Sequence, residues 1–241
     1  MVKLYYNLNE HELYLLTYRE YILNKFVFLA DTTNKHSLAC KFRKKRQAFF
    51  EEFMSNFEDF HKILDVGGTQ EFWNNANYTK INNAHITLLN LKEIPTNKEN
   101  FISIVGNATE MKEFQEKEFD VVFSNSVIEH LFTFENQLKM AEEIKRIGKK
   151  YFIQTPNKNF PIEPHFIFPF WQYLPEFLKV WLLMNFKIGH CKTKIKDKTE
   201  AQLIAREIRL LTKKELLSLF PGCKLYKEKI LFFTKSFIVY N

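Results

Sequence analysis

The sequence predicts an α/β fold in which a mixed, mostly parallel sheet carries helices on both faces. From residue 62 onward, helix-like segments alternate with short runs rich in β-branched and aromatic residues: KILDV, HITLLNL, FISIV, FDVVFS and KYFIQT. Repeated strand, helix, strand order forms a parallel sheet with right-handed crossovers, and short apolar strands suit a sheet buried on both faces. The 241 residues, 46% hydrophobic and 26% charged, suffice for such a core and exclude a disordered or collagen-like chain.

Two helical segments accompany the predicted strands. In KFRKKRQAFFEEFMSNF the phenylalanines recur at helical spacing, which predicts a helical extension over residues 1–58 in front of a domain over residues 59–241. In FENQLKMAEEIKRIG, between the fourth and fifth strands, the same periodicity ends at Gly148. The first residues, MVKLYYNLNEHELYLL, are interrupted by polar residues and match neither a signal peptide nor a spanning helix, so we expect a cytoplasmic protein.

The composition changes after the fifth strand. Residues 157–200 are rich in proline and aromatic residues and end in a group of lysines, which predicts a lid inserted over the end of the sheet. Its apolar stretch from Phe177 to Phe186 is too short to cross a bilayer, and contact with a membrane surface is a second interpretation of it. Beyond the lid, Thr212 and Glu215 form a capping box for a helix, and an antiparallel pair of strands follows.

Two adjacent glycines follow the first strand, in the stretch ILDVGG, although the chain has only six glycines. In a doubly wound sheet this strand-to-helix turn forms the floor of the ligand site, and Gly67 and Gly68 would let a ligand contact bare backbone. A tight turn without a ligand is the alternative. A dinucleotide site needs a third glycine, as in GxGxxG, whereas this chain has Gln70, Glu71 and Phe72 there, and Glu71 would repel a diphosphate. A nucleoside cofactor without phosphates therefore fits better.

Five motifs of this chain, in this order, resemble those of the class I S-adenosylmethionine-dependent methyltransferases: ILDVGG, ITLLNL, GNATEM, FDVVFSNSVIEHL and YFIQTPN. The resemblance covers about residues 60–170. It implies a Rossmann-like seven-stranded sheet with an antiparallel last strand, and S-adenosyl-L-methionine as cofactor. The stretches GGTQEFW and QTPNKNFPIEPHF are similar to a bacterial subgroup associated with capsule or surface-polysaccharide biosynthesis, which implies a glycan-type acceptor.

The resemblance implies a cofactor site along the carboxyl ends of the strands. Its residues are Asp65, Gly67, Gly68, Thr69, Asn90, Asn107, Ala108, Ser124, Asn125 and Ser126. Asn90 stands where the family has the acid that binds the ribose diol, and Asn107 stands where it has the acid beside adenine. An amide oxygen accepts weaker hydrogen bonds than a carboxylate does, so these two contacts are expected to be weaker here. Glu93 is the alternative ligand of the ribose.

The catalytic residues are predicted in the stretch NFPIEPHF. Methyl transfer needs an aligned nucleophile, methyl group and sulfur, and it needs a base only when the acceptor arrives protonated. His165 is the predicted base, since imidazole titrates near neutrality, and Glu163 is predicted to orient it or to bind the acceptor. Attachment of the lid to the core is the alternative role of both. His130 is interpreted as a hydrogen-bonded residue at a helix end, and a catalytic role for it is the less favoured alternative. No metal site is predicted, because the three cysteines are far apart.

Positive charge is concentrated near the end of the chain. Residues 187–229 contain twelve Lys or Arg and five Asp or Glu, a surplus that equals the net charge of +7. This suits an anionic acceptor, such as a nucleotide-linked or phosphoryl-bearing sugar, and a solvated lysine-rich surface explains it equally well. The leading hypothesis is an enzyme that O-methylates such a polysaccharide precursor. An RNA methyltransferase, less favoured, and a non-catalytic binding module of the same fold are the alternatives; the oligomeric state is not predicted.

Overall fold

The computed structural model describes residues 38–57, 62–74, 84–189, 191 and 193–241. The chain divides into two compact units, residues 1–46 and 47–241, with the division inside the first described helix, α1 (Leu38–Ser55). Most of the predicted N-terminal extension, residues 1–37, lies outside the described residues. The predicted domain boundary at residue 58 therefore stays a prediction.

Seven strands of the second unit form one mixed sheet. Their bounds are Lys62–Val66 (β1), His85–Asn90 (β2), Phe101–Val105 (β3), Phe119–Asn125 (β4), Gly148–Pro156 (β5), Lys224–Ile230 (β8) and Phe233–Tyr240 (β9). Their order in the sheet is β3-β2-β1-β4-β5-β9-β8. Strands β1 to β5 pair in parallel, and β9 runs antiparallel to both β5 and β8. The predicted Rossmann-like seven-stranded sheet with an antiparallel last strand is confirmed.

Five more helices lie along the second unit. They are Gln70–Asn74 (α2), Phe134–Ile147 (α3), Glu176–Asn185 (α4), Lys198–Glu207 (α5) and Lys213–Leu219 (α6). Thr133 caps α3 by accepting a hydrogen bond from the backbone of Asn136, and Gly148 ends the helix as predicted. The predicted capping box of Thr212 and Glu215 opens α6. Residues 91–100 and 106–118, all described, connect β2 to β3 and β3 to β4 without a helix, so the alternation of strand and helix is incomplete on this side.

The two faces of the sheet are covered by different kinds of side chain. On one face, the fully buried Phe50 of α1 packs its ring 4.8 Å from that of Phe123 and 5.0 Å from that of Phe152. On the other face, α3 and α6 bury aliphatic side chains such as Ile144 and Leu216. Each large apolar side chain buried in this way contributes about 1.5–3 kcal/mol to folding. Coverage of both faces explains why the central strands are nearly continuous apolar runs.

The segment after β5 has a hydrophobic cluster of its own. This segment begins with a small hairpin of Ile162–Glu163 (β6) and Phe168–Pro169 (β7), which is followed by a short 3-10 turn at Trp171–Tyr173. Phe166 and Trp171 stack with ring centroids 4.2 Å apart, and α4 and α5 pack around them. Helix α5 continues past residue 200, where the predicted lid ends. Among the described residues, no helix combines the length and the apolar character that crossing a membrane requires.

Candidate functional site

A cavity lies where the strand order of the sheet reverses. The chain leaves β1 toward β2 on one side, and β4 pairs with β1 on the other side. In such sheets the crevice beyond the carboxyl ends at this point is the usual ligand site. Here it holds a cavity of about 370 Å³, within the range of small-molecule sites, which we call the strand-end cavity. Of the predicted cofactor residues, five line it: Gly67, Asn90, Asn107, Ala108 and Ser126.

Each glycine of the pair after β1 has its own structural reason. Gly67 adopts φ +77°, and a Cβ built on it would come within 2.5 Å of Val127 Cγ2. Its amide donates a hydrogen bond to the carbonyl of Leu89 at 2.8 Å, which ties the turn to β2. A Cβ on Gly68 would overlap the carboxylate of Asp65. Gly67 therefore shapes the cavity wall, whereas Gly68 makes room for a side chain beneath the turn.

Asp65 lies below the turn and does not line the strand-end cavity. Its side chain is 1% exposed, and Oδ2 accepts a hydrogen bond from the indole Nε1 of Trp73 at 2.7 Å. Its Oδ1 is buried without a hydrogen-bond partner among the described residues. Burial raises the pKa of Asp65 to about 7, against the smaller opposing effect of the Trp73 hydrogen bond. In this structure Asp65 supports the turn, and its predicted contact with the cofactor stays a prediction.

The two asparagines that replace the expected acids are both held in place. Asn90 Nδ2 donates to the carbonyl of Gly68 at 2.9 Å, a bond that a carboxylate could not make. Asn107 Oδ1 accepts from the backbone and the hydroxyl of Thr109 at 3.0 and 2.9 Å. The oxygen predicted to receive the adenine amine is therefore already engaged. Glu93, the alternative ribose ligand, is exposed and is not part of the cavity wall.

The remaining predicted cofactor residues divide between the wall and its support. Ser126, at φ +58°, lines the strand-end cavity and donates from Oγ to Gln154 Oε1 at 2.8 Å. Ser124 is fully buried and donates to the carbonyl of Val66 at 3.2 Å. Thr69 Oγ1 accepts from the backbone of Phe72 at 3.4 Å, at the start of α2. Thr69, Ser124 and Asn125 do not line the cavity. The side chain of Thr69 is bonded within the turn, and that of Ser124 is bonded within the sheet.

A second group of polar residues meets the strand-end cavity on the side of the inserted segment. Glu163 is 1% exposed, and its Oε1 lies 2.7 Å from Nδ1 of His165. Its Oε2 accepts from the backbone amides of His165 and Phe166 at 2.8 and 2.7 Å. Since the carboxylate can only accept, Nδ1 of His165 carries the proton and Nε2 is directed elsewhere. Glu163 therefore contacts His165 directly, and the predicted roles of both residues stay predictions.

Three further residues complete this group. Glu129, in the 3-10 turn Ile128–His130, is fully buried, and its Oε2 accepts from the hydroxyl of Thr155 at 3.0 Å. Its Oε1 lies 4.0 Å from Nε2 of His165. His130 lines the strand-end cavity, places its ring edge-on to that of His165 at 5.0 Å, and has Nδ1 3.5 Å from Oε1 of Glu207 in α5. We call these residues the histidine–glutamate cluster: Glu129, His130, Glu163, His165 and Glu207.

The groups of the cluster have shifted protonation equilibria. Burial raises the pKa of Glu129 to about 6, although the charge of His165 and its hydrogen bonds act in the opposite direction. Burial, aided by the charge of His165, lowers the pKa of His130. Burial also lowers that of His165, but the hydrogen bond and charge of Glu163, with the charges of Glu129 and Glu207, outweigh it, so the pKa of His165 is raised. A pair of imidazoles with opposite shifts is typical of a functional site.

Sequence reasoning missed part of this cluster. Glu207 belongs to α5, a helix that was not predicted, and reaches His130 only through the packing of the inserted segment. Glu129 had a signal, since it lies beside His130 in IEHL, but the sequence could not show that the residue is buried. His130 is more than the residue at a helix end that was expected, because it joins the cavity wall to the cluster.

One protein-family model matches the part of the chain that contains the strand-end cavity. Residues 64–151 match a family model described as a methyltransferase domain. All residues that line the cavity fall within this range, whereas Glu163, His165 and Glu207 lie beyond it. Two curated relatives are the uncharacterized proteins MT1557 and Rv1509 from two strains of Mycobacterium tuberculosis, each 39% identical over 54 residues. The alignment covers 22% of this chain and only 18% of each relative.

Solved structures that are similar to this chain have low sequence identity to it. A chain of the complex between the Haloferax volcanii Trm112 methyltransferase activator and a methyltransferase is 12% identical, with a TM-score of 0.50 over 84% of this chain and 90% of that one. An S-adenosylmethionine-dependent methyltransferase from Methanosarcina mazei is 12% identical, with a TM-score of 0.44 over 78% of this chain and 95% of its own. The complex of Haemonchus contortus phosphoethanolamine N-methyltransferase 2 with S-adenosyl-L-methionine is 13% identical, with a TM-score of 0.47 over 76% and 38%.

Proposed function

We propose that this chain, which carries a class I S-adenosylmethionine-dependent methyltransferase domain, methylates an oxygen of a small or glycan-type acceptor. The cofactor is S-adenosyl-L-methionine. The observation that carries the proposal is the junction at His130, where the wall of the strand-end cavity meets the histidine–glutamate cluster. A cofactor lying in the cavity would then present its methyl group toward imidazole and carboxylate groups.

The wall of the strand-end cavity suits a cofactor without phosphates. Neither lysine nor arginine is among the described residues that form it. A diphosphate would require cations or a row of amides at a helix start, whereas a nucleoside with an amino-acid tail needs apolar contacts and a few hydrogen bonds. Leu89, Val127 and Leu131 supply apolar surface, and Asn90 and Ser126 supply the polar atoms.

His165 is the group that we assign to the acceptor's proton, with Glu163 as its positioning residue. Because Nδ1 is bonded to Glu163, Nε2 would take the proton from the acceptor hydroxyl as the oxygen attacks the methyl carbon. The new O–C bond forms while the S–C bond breaks, and its electron pair remains on sulfur as the neutral thioether of S-adenosylhomocysteine. Alignment of the three reacting atoms contributes up to about 7–11 kcal/mol, and a base contributes about 10²–10⁴-fold.

The acceptor that we propose is an anionic sugar derivative, such as a nucleotide-linked or phosphoryl-bearing precursor of a surface polysaccharide. The basic segment over residues 187–229 supports a negatively charged acceptor. Two of its arginines already form ion pairs, Arg206 with Glu176 and Arg209 with Glu215. The polysaccharide context is supported by the resemblance of GGTQEFW and QTPNKNFPIEPHF to that subgroup.

Two measurements test the function. Calorimetry with S-adenosylhomocysteine should show saturable binding to the full chain, and transfer of label from the cofactor should be detected with a panel of nucleotide sugars and envelope precursors. His165→Ala should keep the affinity for S-adenosylhomocysteine and lower turnover at least about 100-fold. His85→Ala, an exposed histidine at the start of β2, is the matched control and should change neither. Absence of cofactor binding by the wild-type chain would overturn the proposal.

A further inference from the structure

Three side chains beside the strand-end cavity are arranged as metal ligands usually are. One ligand atom each from Glu129, His130 and His165 lies within 4.8 Å of the other two. Around a metal ion at about 2.1 Å, neighbouring ligand atoms are about 3.0–3.4 Å apart. Small side-chain rotations would therefore close the set. Two imidazoles and one carboxylate are a common ligand set for divalent first-row metals with open positions.

The carboxylate of Glu129 has an incomplete set of partners. Its side chain is fully buried, Oε2 accepts from Thr155, and Oε1 is without a hydrogen-bond donor among the described residues. A buried carboxylate oxygen without a donor costs about 1–3 kcal/mol or more. Oε1 faces the cluster, 4.0 Å from His165 Nε2. A cation between these two atoms would satisfy the oxygen.

The outer partners of the imidazoles are those of metal-bound histidines. When Nε2 of a histidine binds a metal, Nδ1–H commonly donates to a carboxylate, which fixes the tautomer and the ring orientation. Glu163 is in this position toward His165, with 2.7 Å between the two atoms, and is itself held by two backbone amides. Glu207 stands near Nδ1 of His130 at 3.5 Å. Each of the two imidazoles thus has a carboxylate near its Nδ1 atom.

The negative charge of the histidine–glutamate cluster also favours a bound cation. Glu129, Glu163 and Glu207 bring three carboxylates to a site whose only described basic partners at hydrogen-bond or ion-pair distance are the two imidazoles. Such a site would repel the anionic acceptor proposed above. A bound divalent ion would reverse the local field and offer coordination positions to an acceptor oxygen.

We propose that Glu129, His130 and His165 bind one divalent transition-metal ion, such as Zn²⁺, Co²⁺ or Mn²⁺, at the edge of the strand-end cavity, with Glu163 and Glu207 as outer positioning residues. The ion takes an oxygen of the acceptor as a further ligand. Imidazole ligands favour these ions over Mg²⁺ and Ca²⁺, which prefer oxygen. No local spacing in the sequence indicates the site, because His165 lies far along the chain from Glu129 and His130.

The role of the ion in catalysis rests on the proposed function. A bound ion would make a coordinated acceptor hydroxyl more acidic, so its proton would pass to solvent. The oxygen would then attack the methyl carbon, and the electron pair of the breaking S–C bond would stay on sulfur. His165 Nε2 is then a ligand, and the cation takes over the activation that the imidazole performs without it. A proton and a metal ion compete for the same nitrogen atom.

Titration with Co²⁺ tests the site directly, because its visible absorption reports the ligands. The probe is Co²⁺ alone, added to the full chain without an affinity tag after treatment with a chelator. We expect one Co²⁺ per chain in this site, with affinity at least about 100-fold lower in His130→Gln, His165→Gln and Glu129→Gln and about 10–100-fold lower in Glu163→Gln. His85→Gln should bind Co²⁺ as the wild type does. His130→Gln is the safest variant, because the side chain of His130 is 37% exposed and its loss should not unfold the protein.

The result separates this inference from the proposed function. Affinity for S-adenosylhomocysteine, measured on the same samples, should be within about twofold in the Glu129, Glu163, His165 and His85 variants, because none of these residues lines the strand-end cavity. This measurement also reports that the variants are folded. If Co²⁺ binds the wild type and the His130 and His165 variants equally, the metal site is wrong. If the chelated enzyme methylates its acceptor at the full rate, the catalytic role of the ion is wrong. In both cases the methyltransferase proposal stands. If S-adenosylhomocysteine does not bind the wild type, the proposed function fails whatever Co²⁺ does.

Discussion

The two sides of the candidate site are built in different ways. The proposed cofactor side, the strand-end cavity, is lined by residues at the ends of β1 and β2, by residues 106–108 and by residues of the segment 126–131 after β4. The acceptor side, the histidine–glutamate cluster, is formed by side chains from the 3-10 turn, the β6–β7 hairpin and α5. The first depends on glycines and on sheet register. The second depends on which charged groups are buried together.

This difference predicts how each side responds to substitution. Backbone that is shaped by a parallel sheet has few alternatives, so a change of one residue in the turn should remove the cofactor site altogether. Hydrogen-bonded side chains can be replaced one at a time, so changes in the cluster should lower turnover and leave the cofactor bound.

The largest effect is expected for Gly67→Ala. Its φ of +77° is costly for a residue with a side chain, and the new Cβ would collide with Val127 at the cavity wall. We expect the affinity for S-adenosylhomocysteine, measured by calorimetry, to fall more than about 100-fold, since the backbone of the wall must move. Gly222→Ala is the matched control: it has φ +75°, but its Cβ would meet nothing within 4 Å. Equal affinities of the two variants would contradict the assignment of Gly67 to the wall.

The next effect concerns stability and pH, through Asp65. Because the folded pKa is raised to about 7 from an unfolded value near 4, ionisation penalises the folded state, so the free energy of unfolding should fall as pH rises from about 4 to 7. Asp65→Asn cannot ionise, so above pH 7 it should be more stable than the wild type by up to about 4 kcal/mol, and below pH 4 the difference should vanish. Urea unfolding at several pH values measures this.

Glu71→Gln, an exposed change in the neighbouring helix α2, is the control for Asp65→Asn. A constant difference between Asp65→Asn and the wild type from pH 4 to pH 8 would show that Asp65 does not titrate in the folded state as the buried geometry requires.

A smaller effect is expected on the acceptor side from Glu163→Gln. The amide can still accept from the backbone of His165 and Phe166, but its NH₂ would then face Nδ1 of His165 and force the other tautomer. Turnover should fall about ten- to a hundredfold, with affinity for S-adenosylhomocysteine within about twofold of the wild type. The control is Glu176→Gln, which breaks only the exposed pair with Arg206. Loss of cofactor affinity in Glu163→Gln would remove the distinction between the two sides.

The smallest effect is expected for Asn90→Asp, which restores the acid that the family usually has. On charge alone the acid would bind the ribose more tightly. In this structure the amide Nδ2 donates to the carbonyl of Gly68, and a carboxylate there would place oxygen against oxygen. We therefore expect cofactor affinity to fall a few-fold, in line with the loss of one hydrogen bond worth about 1 kcal/mol. An increase in affinity would show that the Gly68 contact does not matter.

Local pattern was enough to predict most of the fold. The strand segments, the antiparallel pairing of the last two strands, the cap of α6 and the end of α3 follow from periodicity, from apolar runs, from a short connection and from capping residues, which act over a few neighbouring positions. The seven-stranded sheet with an antiparallel last strand was implied by the family resemblance. The prediction was incomplete where local signals are weak: residues 91–100 and 106–118 contain no helix, and α5 lies partly outside the predicted lid.

For the site, the sequence by itself determined which turn is the floor of the cavity, since a glycine at positive φ after a buried strand has a local cause. It also indicated Glu163, two residues before His165, as a residue that orients His165 or binds the acceptor. Only the tertiary structure decided that Asp65 and Ser124 support the wall from below, and that Glu129, His130 and Glu207 join His165. Burial and long-range contacts decide these roles, and both depend on how separate segments pack, which no local spacing encodes.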